Sequence, residues 1–116
     1  MRRQKTYSAE SGYVYQYFYE GQRPAKRDGA SGFQYVFSVS ADRKSSSPVS
    51  VFVGEDALAN WQVEHARRLG STERYAVAKM ALFQAFDHRE APSAMSEEVR
   101  VQPRDAEAFL ATLDIS

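Results

Sequence analysis

The 116-residue sequence contains no cysteine. This absence excludes disulfide bonds, thiolate metal sites and cysteine nucleophiles, and it removes any reason to expect an oxidising compartment. No apolar run approaches the roughly 18 residues that a membrane span needs. The basic start, Met1–Ser8, is not followed by the apolar segment of a signal peptide. We therefore expect a soluble, cytoplasmic protein that makes no contact with a membrane.

Motifs that carry chemistry are also missing. The sequence has two histidines, His65 and His88, and neither has a second ligand at metal-binding spacing. The segment Gly29–Gly32 reads Gly-Ala-Ser-Gly and lacks the spacing of a serine nucleophile elbow, and no glycine-rich phosphate loop occurs. We expect no catalytic residue, no metal and no cofactor. A small enzyme whose site has no sequence motif stays as an alternative, because function depends on sites rather than on folds.

The charge balance gives no overall attraction to nucleic acid, since the formal net charge is zero. The charges are unevenly placed, however. Residues 1–50 carry eight Lys and Arg against four Asp and Glu, and residues 51–116 carry seven against eleven. Such an asymmetry is typical of a basic binding edge, of subunits that attract each other, or of a solvated surface without a special role.

The strongest local pattern is Tyr13–Glu20, in which four tyrosines occupy the odd positions. Successive side chains of a strand point to opposite faces, so this strand has one face made of tyrosines and one mixed face. A shift of one residue would exchange the two faces. We predict that Tyr13, Tyr15, Tyr17 and Tyr19 lie in the core, because the neighbouring strands also have a well-defined apolar face.

Two further strands follow in the pattern. Phe33–Ser40 and Val49–Val53 alternate apolar and polar residues, as half-buried strands do. Residues 21–32 hold three glycines and three basic residues, and we interpret them as a long basic loop. Residues 1–10 show no periodicity and are predicted to be a flexible arm. Connections without a helical pattern favour a three-stranded antiparallel meander.

After Gly54 the spacing of the apolar residues changes to that of helices. One helix is predicted from Glu55 to about Leu69, and a second, apolar over much of its circumference, from Ser71 or Thr72 to His88–Glu90. A short strand over Glu97–Gln102 and a short helix after Pro103 complete the chain. The expected fold is one α+β domain over residues 1–116, of order β-β-β-α-α-β-α, whose antiparallel sheet (the meander plus the C-terminal strand) is covered on one face by two helices.

This arrangement leaves apolar side chains on the face of the sheet that the helices do not cover. With the tyrosines inside, Val14, Phe18, Val36 and Phe52 lie outside, and exposed apolar patches usually mark interfaces. Arg23, Lys26 and Arg27 would form a polar rim or contact an anion. We expect a non-catalytic binding or dimerisation module, with a homodimer as the simplest assembly and another protein as a further partner. The alternative is a single-stranded nucleic-acid binder that uses its aromatic strand and basic loops.

Overall fold

The computed structural model describes residues 3–116, and the first two residues of the predicted arm lie outside that range. Within it the chain forms a five-stranded sheet, three α-helices and one 3₁₀ helix, in the order β-β-β-β-α-α-β-α, so the α+β class is confirmed. The strands are β1 (Lys5–Ser8), β2 (Val14–Arg27), β3 (Ala30–Ser40), β4 (Ser47–Gly54) and β5 (Val99–Arg100). The helices are α1 (Glu55–Glu64), α2 (Ser71–His88) and α3 (Pro103–Thr112), with the 3₁₀ helix at Pro92–Ser96.

The predicted flexible arm contains a strand, so the sheet has four N-terminal strands rather than three. β1 pairs antiparallel with β2, and Tyr7 lies opposite Tyr15. The Tyr7 ring stacks on Phe83 of α2 with ring centroids 4.4 Å apart, and its hydroxyl donates to Asp87 Oδ2 at 2.8 Å. A single aromatic residue anchors this strand, which is why the residues around it show no periodicity.

The predicted basic loop over residues 21–32 is instead the tip of a long hairpin. β2 and β3 remain paired from Gln16 opposite Ser40 to Arg27 opposite Ala30. The turn is Asp28-Gly29, and both residues have positive φ, at 53° and 82°. Asp-Gly suits the two-residue turns whose twist matches that of the strands, and it was the overlooked hairpin signal. β1 pairs only with residues 14–17 of β2, so Pro24 occupies an edge strand, where proline is tolerated.

The prediction of a wholly antiparallel sheet was also wrong. The order is β1-β2-β3-β4-β5, and the first four strands are antiparallel neighbours. β5 pairs parallel with β4, with Val51 opposite Val99. The chain between these strands contains α1, α2 and the 3₁₀ helix, and this long crossover returns it to the sheet in the same direction, as parallel pairing requires.

The tyrosines of β2 lie on the inner face of the sheet, which is the face that the helices cover. Tyr15 and Tyr17 are buried and Tyr19 is half-buried, so the predicted phase of this strand is confirmed for them. Tyr13 precedes β2 and keeps 39% of its surface exposed. Tyr15 stacks on Phe86 of α2 with centroids 4.1 Å apart. The core also takes inner-face residues of β3, β4 and β5 together with residues from all three helices (Tyr35, Phe37, Val51, Val99, Leu58, Trp61, Val77, Leu82, Phe109 and Leu110).

We expect Gly32→Ala to destabilise the fold, because β3 and β4 approach closely at Gly32 and Gly54. A Cβ at residue 32 would contact the carbonyl oxygen of Val53 and would lie 2.6 Å from Gly54 Cα and 2.9 Å from Phe52 Cζ. Overpacking of this kind costs about 1–3 kcal/mol of the free energy of unfolding. Urea denaturation measures this loss. Ser31→Ala, at the exposed neighbouring residue, is the control and should change stability little; equal stability of both variants would contradict the close approach.

Candidate functional site

The outer face of the sheet is the surface on which no helix packs within residues 3–116, since the helices bury the inner face. The sheet is curled, and several side chains of the outer face are shielded by their own neighbours. Gln16, Gln34, Ser40 and Phe52 are each at most 8% exposed. Strand pairing assigns the outer face to Thr6, Ser8, Val14, Gln16, Phe18, Arg23, Arg27, Gln34, Val36, Ser38, Ser40, Pro48, Ser50, Phe52 and Arg100.

The structure distributes the predicted interface residues unevenly over this face. Val14 is 41% exposed, and Phe18 and Val36 are half-buried. Phe52 is only 5% exposed, because the guanidinium of Arg27 lies over its ring at 5.3 Å. Phe52 is therefore covered by the hairpin, and Val14 is the most exposed of the four predicted interface residues.

A β-bulge decides where the basic residues of β2 point. The register shifts between Tyr19 and Gly21, whose φ is 151°. The shift inserts one residue, so Arg23 lies opposite Gln34 and Arg27 opposite Ala30, on the outer face. Lys26 is exposed on the opposite side of the hairpin. The three predicted rim residues are thus not brought together, which follows from the alternation of a strand in place of the expected loop.

Arg27 is already held by an ion pair. Its Nε and Nη2 donate to the two carboxylate oxygens of Glu98 at 2.8 and 3.0 Å. Arg100 bridges Glu98 and Asp28, at 3.3 and 2.8 Å, and so connects the hairpin tip to β5. The hydrogen bond from Arg27 lowers the pKa of Glu98, which keeps its carboxylate ionised. This cluster fixes the hairpin tip to the sheet.

Two buried glutamines of the outer face differ in their hydrogen bonds. Gln34 is satisfied, because its Oε1 accepts from Arg23 Nε at 2.7 Å and its Nε2 donates to Ser50 Oγ at 2.9 Å. Gln16 is 6% exposed, and neither Oε1 nor Nε2 has a hydrogen-bond partner among the described residues. A buried polar group without a hydrogen-bond partner is unfavourable, so the buried Gln16 amide lowers the stability of the fold.

Gln16 is one of the residues that line a hollow of about 500 Å³ on the outer face. Thr6, Phe18 and Ser40 form part of its floor, and the turn between β3 and β4 forms one wall with Arg43 and Lys44. Asp42 holds this turn, since its Oδ1 accepts from the backbone N–H of Lys44 at 2.8 Å and of Ser45 at 2.9 Å.

The hydrogen bonds to the Asp42 carboxylate, led by those from Ser45 and Lys44, lower its pKa from 3.8 to about 2. The carboxylate is therefore ionised at neutral pH. It holds the turn in place beside the two exposed cations of Arg43 and Lys44.

The hollow combines an amide donor and acceptor, a half-buried aromatic ring and two cations. Nothing in the sequence pattern distinguishes Gln16, which stands there as an ordinary outward-facing residue. Its burial comes from the curl of the sheet and the neighbouring turn, and no local sequence signal predicts either.

Two further features, a metal-binding cluster and a membrane-spanning helix, are absent from residues 3–116. No group of three or more His, Asp or Glu side chains there could hold a metal ion, and none of the helices there has the length and apolar character needed to cross a membrane. His65 stacks on Trp61 with centroids 4.0 Å apart, and its Nδ1 lies 2.9 Å from the Trp61 carbonyl oxygen. Comparisons of the chain with protein-family models, with curated proteins and with solved structures give no match.

We expect the two glutamines to respond oppositely to replacement by leucine. Gln16→Leu removes an amide that has no partner and should leave the free energy of unfolding unchanged or raise it. Gln34→Leu leaves Arg23 and Ser50 without their hydrogen-bond partner and should lower the free energy of unfolding by about 1–3 kcal/mol. Denaturant unfolding of the two variants measures the difference. A comparable loss in Gln16→Leu would show that its amide contributes to the fold, contrary to our interpretation.

Proposed function

We propose that this chain is a non-catalytic binding module that self-associates through the outer face of its sheet. The observation that supports this proposal is that no helix within residues 3–116 covers this face, although Val14 is exposed on it and Phe18 and Val36 are half-buried. An apolar group on an open sheet face is stabilised when a partner removes it from water. A cytoplasmic location stays a prediction from the sequence.

The chemistry of the outer face supports a second copy as the partner. On the Ser38 side of Val36 the outer face is uncharged, because Phe18, Ser38, Pro48 and Ser50 lie there, whereas Arg23 lies on the other side, opposite Gln34. In a twofold dimer each surface meets itself, so a charged strip would repel its copy. Serine hydroxyls donate and accept hydrogen bonds, and they can therefore pair with the same groups of a second chain.

We expect Val14→Glu and Val36→Glu to weaken the homodimer. Each substitution places a carboxylate in the proposed interface, where burial of an unpaired charge is costly, so the dissociation constant should rise at least about tenfold. Sedimentation velocity from low to high micromolar concentration measures the constant for each variant.

Val63→Glu is the matched control. Val63 is 80% exposed on α1, on the side of the molecule away from the outer face, so its replacement should leave self-association unchanged. Circular-dichroism melts of all three variants establish that they are folded. A wild-type chain that stays monomeric over the whole concentration range would rule out the proposal.

A second candidate function is the binding of single-stranded nucleic acid, and the hollow at Gln16 favours it. Arg43 and Lys44 are exposed at its wall and can contact phosphates. An amide such as that of Gln16 pairs with base edges, and a ring such as that of Phe18 stacks with bases. The buried tyrosines of β2 take no part, which corrects the earlier expectation of an aromatic strand.

For this candidate we expect the double variant Arg43→Asn/Lys44→Gln to bind a short oligonucleotide more weakly than the wild-type chain. Its binding constant should also depend less steeply on salt concentration. Asparagine suits the positive φ of 64° at residue 43. Each lost phosphate contact should decrease the slope of log K against log[salt] by about 0.7. Fluorescence anisotropy at several salt concentrations measures both quantities.

The control replaces two cations that lie outside the hollow, Arg68 and Arg104, by glutamine. Equal losses in both double variants would indicate only a general effect of charge. No binding by the wild-type chain at low salt, where phosphate contacts are strongest, would eliminate the nucleic-acid candidate and leave the dimer proposal untouched.

A further inference from the structure

A second concave site lies at the same end of the sheet, on its inner side. It is a cleft of about 460 Å³ between the end of the sheet, the β3–β4 turn and the 3₁₀ helix. Val39, Val49, Pro92 and Met95 form the apolar part of its lining, and Asp42 and four serines (Ser45, Ser47, Ser93 and Ser96) form a polar part. The volume lies within the range of small-molecule sites.

Tyr15 is one of the residues that line this cleft. Tyr15 has no exposed surface, and its hydroxyl oxygen has no hydrogen-bond partner among the described residues. Burial of the ring raises the pKa of Tyr15, so the hydroxyl is protonated at neutral pH and can donate or accept one hydrogen bond. Buried tyrosine hydroxyls usually have a partner, and the cleft is where one would be supplied.

The charges around the cleft indicate which ligands suit it. No Lys, Arg or His is among the described residues that line it, and its charged lining residue is Asp42. The carboxylate of Asp42 is ionised and already accepts hydrogen bonds from its own turn. An anion would be repelled by it and would find no cation in compensation. A neutral ligand meets neither difficulty.

We propose that this cleft binds a neutral, largely apolar small molecule that carries one hydrogen-bonding group, and that the Tyr15 hydroxyl pairs with that group. The site is separate from the outer face, because Tyr15 and the neighbouring residue on β2, Gln16, point to opposite sides of the sheet. The proposal therefore does not depend on self-association or on nucleic-acid binding.

A matched pair of fluorescent probes tests the ligand class. N-phenyl-1-naphthylamine is neutral and has one N–H group, and 8-anilinonaphthalene-1-sulfonate has the same rings with an added negative charge. We expect the neutral probe to bind to the full chain saturably, with one molecule per chain. The sulfonate should bind at least about tenfold more weakly, a difference of about 1.4 kcal/mol in binding free energy. Absence of saturable binding by the neutral probe, or equal affinity for both, would overturn the proposal.

The variant Tyr15→Phe tests the role of the hydroxyl while it keeps the ring that stacks on Phe86. Loss of one hydrogen bond should weaken binding of the neutral probe about three- to tenfold. The midpoint of thermal unfolding without probe should stay the same or rise, because the removed hydroxyl has no partner. Unchanged probe affinity, or a lowered midpoint, would show that the hydroxyl does not serve a ligand.

A blocking variant tests the location of the site. Ser93→Trp places a large side chain in the cleft from the exposed side of the 3₁₀ helix and should abolish probe binding. Ala59→Trp adds the same side chain at an exposed position of α1 and should bind the probe as the wild-type chain does. Equal binding by both variants would place the probe elsewhere and contradict the proposal. Probe-induced dissociation of a dimer would identify a second copy as the occupant of the cleft and would likewise overturn it.

Discussion

Stacking of aromatic rings between the sheet and α2 is the interaction on which the rest of the structure depends. Tyr7 and Tyr15 stack on Phe83 and Phe86, and Tyr19 meets Tyr75 edge-on with centroids 4.8 Å apart. Each such pair is worth about 0.5–1.5 kcal/mol beyond the area that it buries. Because the side chains of a strand alternate, these contacts determine both faces of the sheet at once: when the tyrosines pack under α2, Val14, Gln16 and Phe18 must point outward.

The bulge at Tyr19–Gly21 modifies this rule for the second half of β2. Without the additional residue, Arg23 and Arg27 would share the face of the tyrosines. The bulge turns both toward the outer face, where Arg27 covers Phe52 and pairs with Glu98. A bulge of this kind re-aims side chains without breaking the strand. The long hairpin thus has its aromatic residues at one end inside the core and its arginines at the other end outside it.

The parts of the fold that the sequence predicts are those with long and regular patterns. The tyrosine alternation gave the correct phase of β2, and the broad apolar stripe identified α2 as the central helix. β1 was missed because it depends on one residue, Tyr7, and the hairpin tip because glycines and cations concealed Asp28-Gly29. Strand pairing assigns Val14, Phe18, Val36 and Phe52 to the outer face, but the burial of Phe52 and Gln16 was not foreseen. Both follow from cross-strand neighbours, which a linear pattern does not contain.

Two successive residues of β2 carry buried polar atoms that the fold does not satisfy. Tyr15 lines the inner cleft and Gln16 lines the outer hollow, and Ser45 of the β3–β4 turn lines both. The tip of the hairpin differs from this end of the sheet, because Arg27 and Arg100 both form ion pairs with Glu98 there. Polar groups without partners persist in a stable fold only when something else compensates for their cost. Three of the four such atoms among residues 3–116 belong to Tyr15 and Gln16, and for this reason we propose that this end of the sheet is where ligands bind.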